Sequence, residues 1–128
     1  MTQLPANFRR VRLELAREPH SPEGDAHVAY VFTIPLAAED RLDVETAQKH
    51  RDALTVVRMR RGEAPTQGRL HRRPGGSWAI HYDQSAGQAE DDDPAYRLEQ
   101  HRFSVGEYVT ILEDDGPHTY RVTAHHFL

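Results

Sequence analysis

The sequence predicts a mainly β fold: a small antiparallel barrel or sandwich with one short peripheral helix. Three observations carry this. Short runs of alternating apolar and polar residues recur along the chain, which is the period of a half-buried strand. Loop segments rich in Gly, Pro and Asp separate these runs every ten or so residues, as in small barrels and sandwiches. Near the C-terminus, Asp114-Asp115-Gly116-Pro117 lies between two such runs, and Asp-Gly in that setting is a strong hairpin signal.

Val11, Leu13 and Leu15 alternate with Arg10, Arg12 and Glu14 in the first strand, and Glu18–Asp25 (EPHSPEGD) is a loop. Val28–Ile34 (VAYVFTI) is apolar on both faces and rich in β-branched and aromatic residues, so it reads as a central strand ended by Pro35. These two strands are close enough in sequence to form a hairpin. The one plausible helix falls in Leu36–Asp52, with Asp43 as N-cap and a thin apolar stripe of Val44, Ala47 and Leu54. Ala53–Met59 returns to β character, and Arg60–Gly68 is a loop.

Arg69–Arg73 and Ser77–Asp83 flank Pro74-Gly75-Gly76 and predict a second hairpin, in which Trp78, Ile80 and Tyr82 share one face. Trp78 is expected in the core, because an isolated tryptophan among polar neighbours is a core anchor more often than a contact residue. Gln84–Pro94 is polar and acidic and predicts a mobile loop, and Tyr96–Phe103 is a short strand candidate. Glu107–Glu113 should pair with His118–Thr123 across Asp115-Gly116, with Val109, Ile111, Tyr120 and Val122 facing the core.

The 128 residues fit one domain, spanning 1–128, able to bury roughly two-thirds of its unfolded surface. The absence of cysteine excludes disulfides, thiolate metal sites and cysteine nucleophiles. No stretch of eighteen apolar residues occurs and the N-terminus has no apolar leader core, so a soluble, cytoplasmic protein with no membrane partner is expected. The net charge of −4 argues against a general nucleic-acid binder. The charge is nevertheless uneven: 13 Lys/Arg face 10 Asp/Glu from Met1 to Ile80, against 3 and 10 from His81 to Leu128.

FSVGEYVTILEDDG, Phe103–Gly116, looks like the turn-strand-turn element of SH3-like and other small β-barrels. More broadly, RRPGGSWAIHYD (Arg72–Asp83) with HRFSVGEYVTILEDDG (His101–Gly116) resembles a set of short, uncharacterised bacterial proteins. That resemblance implies no activity.

No catalytic motif is present. Ser77, Ser85 and Ser104 lack the strained Gly-x-Ser-x-Gly setting of a nucleophile, and no Gly-rich loop opens a helix. The acidic run Glu90–Asp93 lacks the order of an EF-hand loop, and Asp114 and Asp115 are explained by the turn. No cofactor, catalytic residue or metal ligand is therefore assigned. The local charge excess lies between Arg58 and Arg73, where six arginines face the single carboxylate Glu63. The sequence reading is a non-enzymatic binding module whose basic β-ribbon, through Arg60, Arg69, Arg72 and Tyr82, contacts an acidic protein segment or nucleic acid. The alternative is a small-ligand- or metal-binding barrel, enzymatic or not, that uses His81 and Asp83 with His101 or His118 from among nine histidines.

Overall fold

The computed structural model describes residues 4–19, 21–83, 98–113 and 115–128, and the backbone of Asp93–Pro94. Strands β1 (Phe8–Leu15), β2 (Asp25–Pro35), β3 (Thr55–Met59), β4 (Thr66–Arg72), β5 (Trp78–Tyr82), β6 (Asp93–Pro94), β7 (Tyr108–Glu113) and β8 (Gly116–Phe127) make one antiparallel sheet. The strand order is β6-β5-β4-β3-β2-β1-β8-β7. The sheet curls into a half-barrel, so the fold is of the barrel type with one sheet and not a sandwich of two. Its end strands β6 and β7 approach each other across the concave side. No helix among the described residues is long and apolar enough to cross a membrane.

The period-two pattern decides which face is buried. Val11, Leu13 and Leu15 of β1, Tyr30, Phe32 and Ile34 of β2, and Leu70 of β4 all point into the concave side, each at most 8% exposed. Trp78, Ile80 and Tyr82 join them from β5. Burial of this apolar surface is the main force holding the sheet in its curl. Gly68 marks the tightest point of the wall. A Cβ there would lie 2.6 Å from the His81 carbonyl oxygen and 3.1 Å from the Tyr82 ring, so glycine lets β4 and β5 pass beneath the tyrosine.

The helix α1 is confined to Val44–Lys49, with Asp43 as its cap: the Asp43 carboxylate accepts from the Thr46 amide at 3.1 Å and the Thr46 hydroxyl at 2.7 Å. These bonds hold the Asp43 carboxyl below the usual carboxylate range. Residues Leu36–Arg41 of the predicted helical stretch instead form an isolated bridge and a 3-10 turn at Ala38–Asp40.

The C-terminal hairpin has the expected faces, with Val109, Ile111, Tyr120 and Val122 each at most 1% exposed. Its register is shifted by two residues from the expected one, with Glu113 opposite Gly116 and not His118, so the faces are kept. Two other expectations are corrected. Leu98–Gln100 is a 3-10 turn and not a strand. A strand would send Leu98 and Phe103 to opposite faces, five residues apart, whereas the turn buries both at 0% exposure. Asp93 and Pro94 pair with Ile80 and Ala79, so the acidic loop gives way to a strand before its expected end. The remainder of that loop, 84–92, lies outside the described residues.

In β8 the register shifts beside β1: Leu13 stands opposite Val122 but Arg12 opposite Ala124, leaving Thr123 as the extra residue of a bulge.

Replacing Gly68 with Ala should cost about 1–3 kcal/mol, the usual range for overpacking, since the obstructing atom is backbone. Chemical denaturation of the two proteins checks this; equal midpoints would mean that the β4–β5 wall gives way freely.

Candidate functional site at one rim of the half-barrel

Side-chain alternation places a carboxylate on an otherwise apolar face. Val109 and Ile111 of β7 point into the concave side, and Glu113, two residues on, continues the same row at the rim. Its side chain is 9% exposed. Three donors from three other strands or strand ends converge on it. The Tyr120 hydroxyl donates to Oε2 at 2.5 Å, the Tyr30 hydroxyl donates to Oε2 at 3.2 Å, and Arg60 Nη2 donates to Oε1 at 3.4 Å. The rings of Tyr30 and Tyr120 meet edge to face with centroids 5.0 Å apart. Burial, followed by the hydrogen bond to Glu113, pushes the Tyr120 phenol far above its ordinary range, so it stays a donor.

Beside Glu113, His118 begins the inward row of β8 that continues with Tyr120 and Val122. Its ring lies between two carboxylates, with Nδ1 3.0 Å from Glu18 Oε2 and Nε2 2.7 Å from Asp115 Oδ1. Glu18 belongs to the β1–β2 loop, so this contact ties that loop to the start of the neighbouring strand β8. The bond to Glu18 raises the His118 pKa above its ordinary value, reinforced by the bond to Asp115 and opposed by burial. The His118 side chain is 21% exposed, Glu18 22% and Asp115 74%. Donor atoms of Glu113, Asp115 and His118 all lie within 4.8 Å of one another.

The structure distributes the sequence-predicted contact residues over different places. Arg60 is at this rim, bound to Glu113. Tyr82 is buried at 4% exposure, with the Arg58 guanidinium over its ring at 4.3 Å, so the phenol is wall and not contact surface. Arg69 has a 57% exposed side chain and lies 3.8 Å from Asp52. Arg72 binds Glu99 at 2.6 Å, and the same oxygen accepts from the Trp78 indole at 3.0 Å. The four therefore do not form one ribbon surface.

Of the alternative set, His118 alone is at the rim. His81 is exposed and cross-strand from Arg69, Asp83 is exposed, and His101 is half-buried with its pKa lowered by burial. The sequence reading assigned Asp115 to the turn and passed over Glu113. The signal that finds Glu113 is the parity Val109-Ile111-Glu113, matched on the return strand by His118-Tyr120-Val122.

Comparison of the chain with protein-family models, with curated proteins and with solved structures returns no match.

Two outcomes follow from this geometry. Glu113→Ala removes the acceptor shared by the Tyr30 and Tyr120 hydroxyls and the Arg60 guanidinium, and should cost about 2–3 kcal/mol in denaturant unfolding; Glu113→Gln, which keeps an acceptor, should cost less. His118 has a raised pKa in the folded state. In chelator-treated protein its contribution to stability should therefore be complete below about pH 6.5 and fade as pH rises through the folded value. Melting temperatures from pH 6 to 9 should fall more for the native protein than for His118→Gln; parallel curves would show that the clamp contributes nothing.

Proposed function

We propose that the chain is a metal-binding β-barrel module, with a divalent transition-metal ion held at the rim by His118, Glu113 and Asp115. The observation that carries this reading is the convergence of an imidazole and two carboxylates within 4.8 Å. An ion with bonds of about 2.0–2.2 Å holds its donors roughly 3–4 Å apart, so small side-chain movements would bring the three onto one centre.

Glu18 supports the reading from behind. It contacts His118 Nδ1, which leaves Nε2 on the side of Asp115, in the carboxylate–histidine arrangement that orients metal-ligating imidazoles. The charge balance agrees. Glu18, Asp115 and Glu113 outnumber the one guanidinium paired with them among the described residues, that of Arg60. A bound divalent ion would supply the positive charge that these carboxylates lack. The mixed N/O donor set without thiolate suits Zn²⁺ or its first-row neighbours over Ca²⁺ and Mg²⁺.

The basic-ribbon reading has less support, because Arg60, Arg69, Arg72 and Tyr82 face different surroundings.

Calorimetric titration with Zn²⁺ after chelator treatment should show one site per chain and a raised melting temperature, reversed by chelator. His118→Ala and Asp115→Asn should each weaken binding tenfold or more, while Arg69→Gln should leave it unchanged and excess Ca²⁺ should not compete. Absence of Zn²⁺ binding, or native affinity in His118→Ala, would overturn the proposal.

A further inference from the structure

The convex side of the sheet carries a second concavity, separate from the rim. Its floor is a row of outward side chains across three strands at one height: Tyr108 of β7 stands opposite Arg121 of β8, and Arg121 opposite Glu14 of β1. Thr119 and Thr123 flank Arg121 along β8, and the wall is the start and end of the β1–β2 loop, including Arg17, Glu23 and Asp25. The volume of this open cleft is about 680 Å³, within the roughly 300–1,000 Å³ of small-ligand sites.

The wall is held in shape from several directions. Ala16 donates its amide to the Thr119 carbonyl at 3.0 Å, Glu18 and Ser21 form a bridge, and Glu18 is fastened to His118. Gly24 takes a φ of +76° and packs so close to β1 that a Cβ would lie 2.6 Å from the Leu15 carbonyl oxygen. Asp25 caps the His27 amide and takes a two-pronged bond from Arg61 at 3.1 and 2.8 Å. The cleft is thus formed in advance, and binding there need not order a loop.

Charge bookkeeping within the cleft selects the ligand. Glu14 is engaged by Arg12 at 2.8 Å, and Asp25 by Arg61. Neither Arg12 nor Arg61 is among the lining residues. Arg17 and Arg121 have no carboxylate partner among the described residues, and they face the cleft with only Glu23 left to oppose them. Thr123 Oγ1 is enclosed and also finds no partner among the described residues. Tyr108, 58% exposed, presents a flat aromatic surface next to Arg121.

We propose that this cleft binds a small organic anion carried on a flat ring. The anionic oxygens would be taken by Arg121 and Arg17 and the ring would lie against Tyr108. Guanidinium groups suit carboxylate and phosphate oxygens alike through paired hydrogen bonds, and an aromatic face adds contact area for a planar ligand.

The test is a titration followed by amide NMR on the full chain with chelator present, which separates it from the metal proposal. The probes are benzoate, phenyl phosphate, inorganic phosphate and benzyl alcohol. Benzoate or phenyl phosphate should shift amides of residues 14–17, 23–26, 108 and 119–123, and whichever of the two binds tighter identifies carboxylate or phosphate as the preferred head group. The better probe should bind at least about tenfold tighter than inorganic phosphate or benzyl alcohol. Arg121→Gln should weaken it about tenfold or more. Tyr108→Ala should reduce it to the level of inorganic phosphate while leaving inorganic phosphate itself unchanged. Both sites are exposed, and the unperturbed amides elsewhere in each variant's spectrum report that it is folded. No shift from any probe at millimolar concentration, binding of benzyl alcohol equal to that of the anions, or native affinity in Arg121→Gln would overturn the proposal.

Discussion

The enclosed carboxylate of Glu113 sets the terms for the whole rim. A charge at 9% exposure is tolerated only where donors replace the water it has lost. The sheet supplies them by curling until Tyr30 on β2, Arg60 beyond β3 and Tyr120 on β8 reach the end of β7. In a flat sheet the ends of β3 and β7 would stand four strand spacings apart, about 19 Å. Apolar packing provides the force for that curvature, and the Glu113 network fixes where the curling sheet comes to rest. His118 and Glu18 then add the β1–β2 loop to the same assembly.

Some of the charge that is unevenly spread along the chain is paired across it. The basic first part and the acidic last part meet in space: Arg60 with Glu113 and Arg72 with Glu99. Two of the arginines that look available for a partner when counted along the sequence are thus engaged within the fold. Exposed pairs of this kind contribute little each. The better enclosed ones do more to fix geometry, and Glu99, which accepts from both Arg72 and the Trp78 indole, joins the 3-10 turn to the β4–β5 hairpin.

Much of the architecture was legible in the residues. Alternation in β1 and in the C-terminal hairpin gave the buried faces, Asp43 marked the helix start, and Trp78 and Ile80 were correctly placed in the core. What was not legible depended on curvature. Alternation assigns a side chain to a face without saying whether that face is concave, so Arg58, Arg60 and Tyr82 read as an exposed ribbon when Arg60 closes the rim and Tyr82 lines the wall. The same blindness hid Glu113: a carboxylate after two apolar inward positions looks like the end of a strand until the partner strands bend round to meet it. The Leu98–Phe103 segment failed for a local reason, since a 3-10 turn and not a strand buries Leu98 with Phe103 five residues on.

The bulge in β8 decides which of two adjacent imidazoles the molecule encloses. Because Thr123 is passed over in the pairing with β1, His125 stands opposite the buried Val11 and His126 opposite the exposed Arg10. His125 accordingly has an enclosed Nε2 without a partner among the described residues, while His126 is exposed. An unbroken ladder would exchange the two. Thr123 thus acts as a frame for everything after it, carrying the inward row from Tyr120 and Val122 to His125 across an odd step. Loss of Thr123 itself would leave His125 opposite Val11 in a regular ladder, whereas straightening the ladder with Thr123 kept would turn the end of β8 inside out.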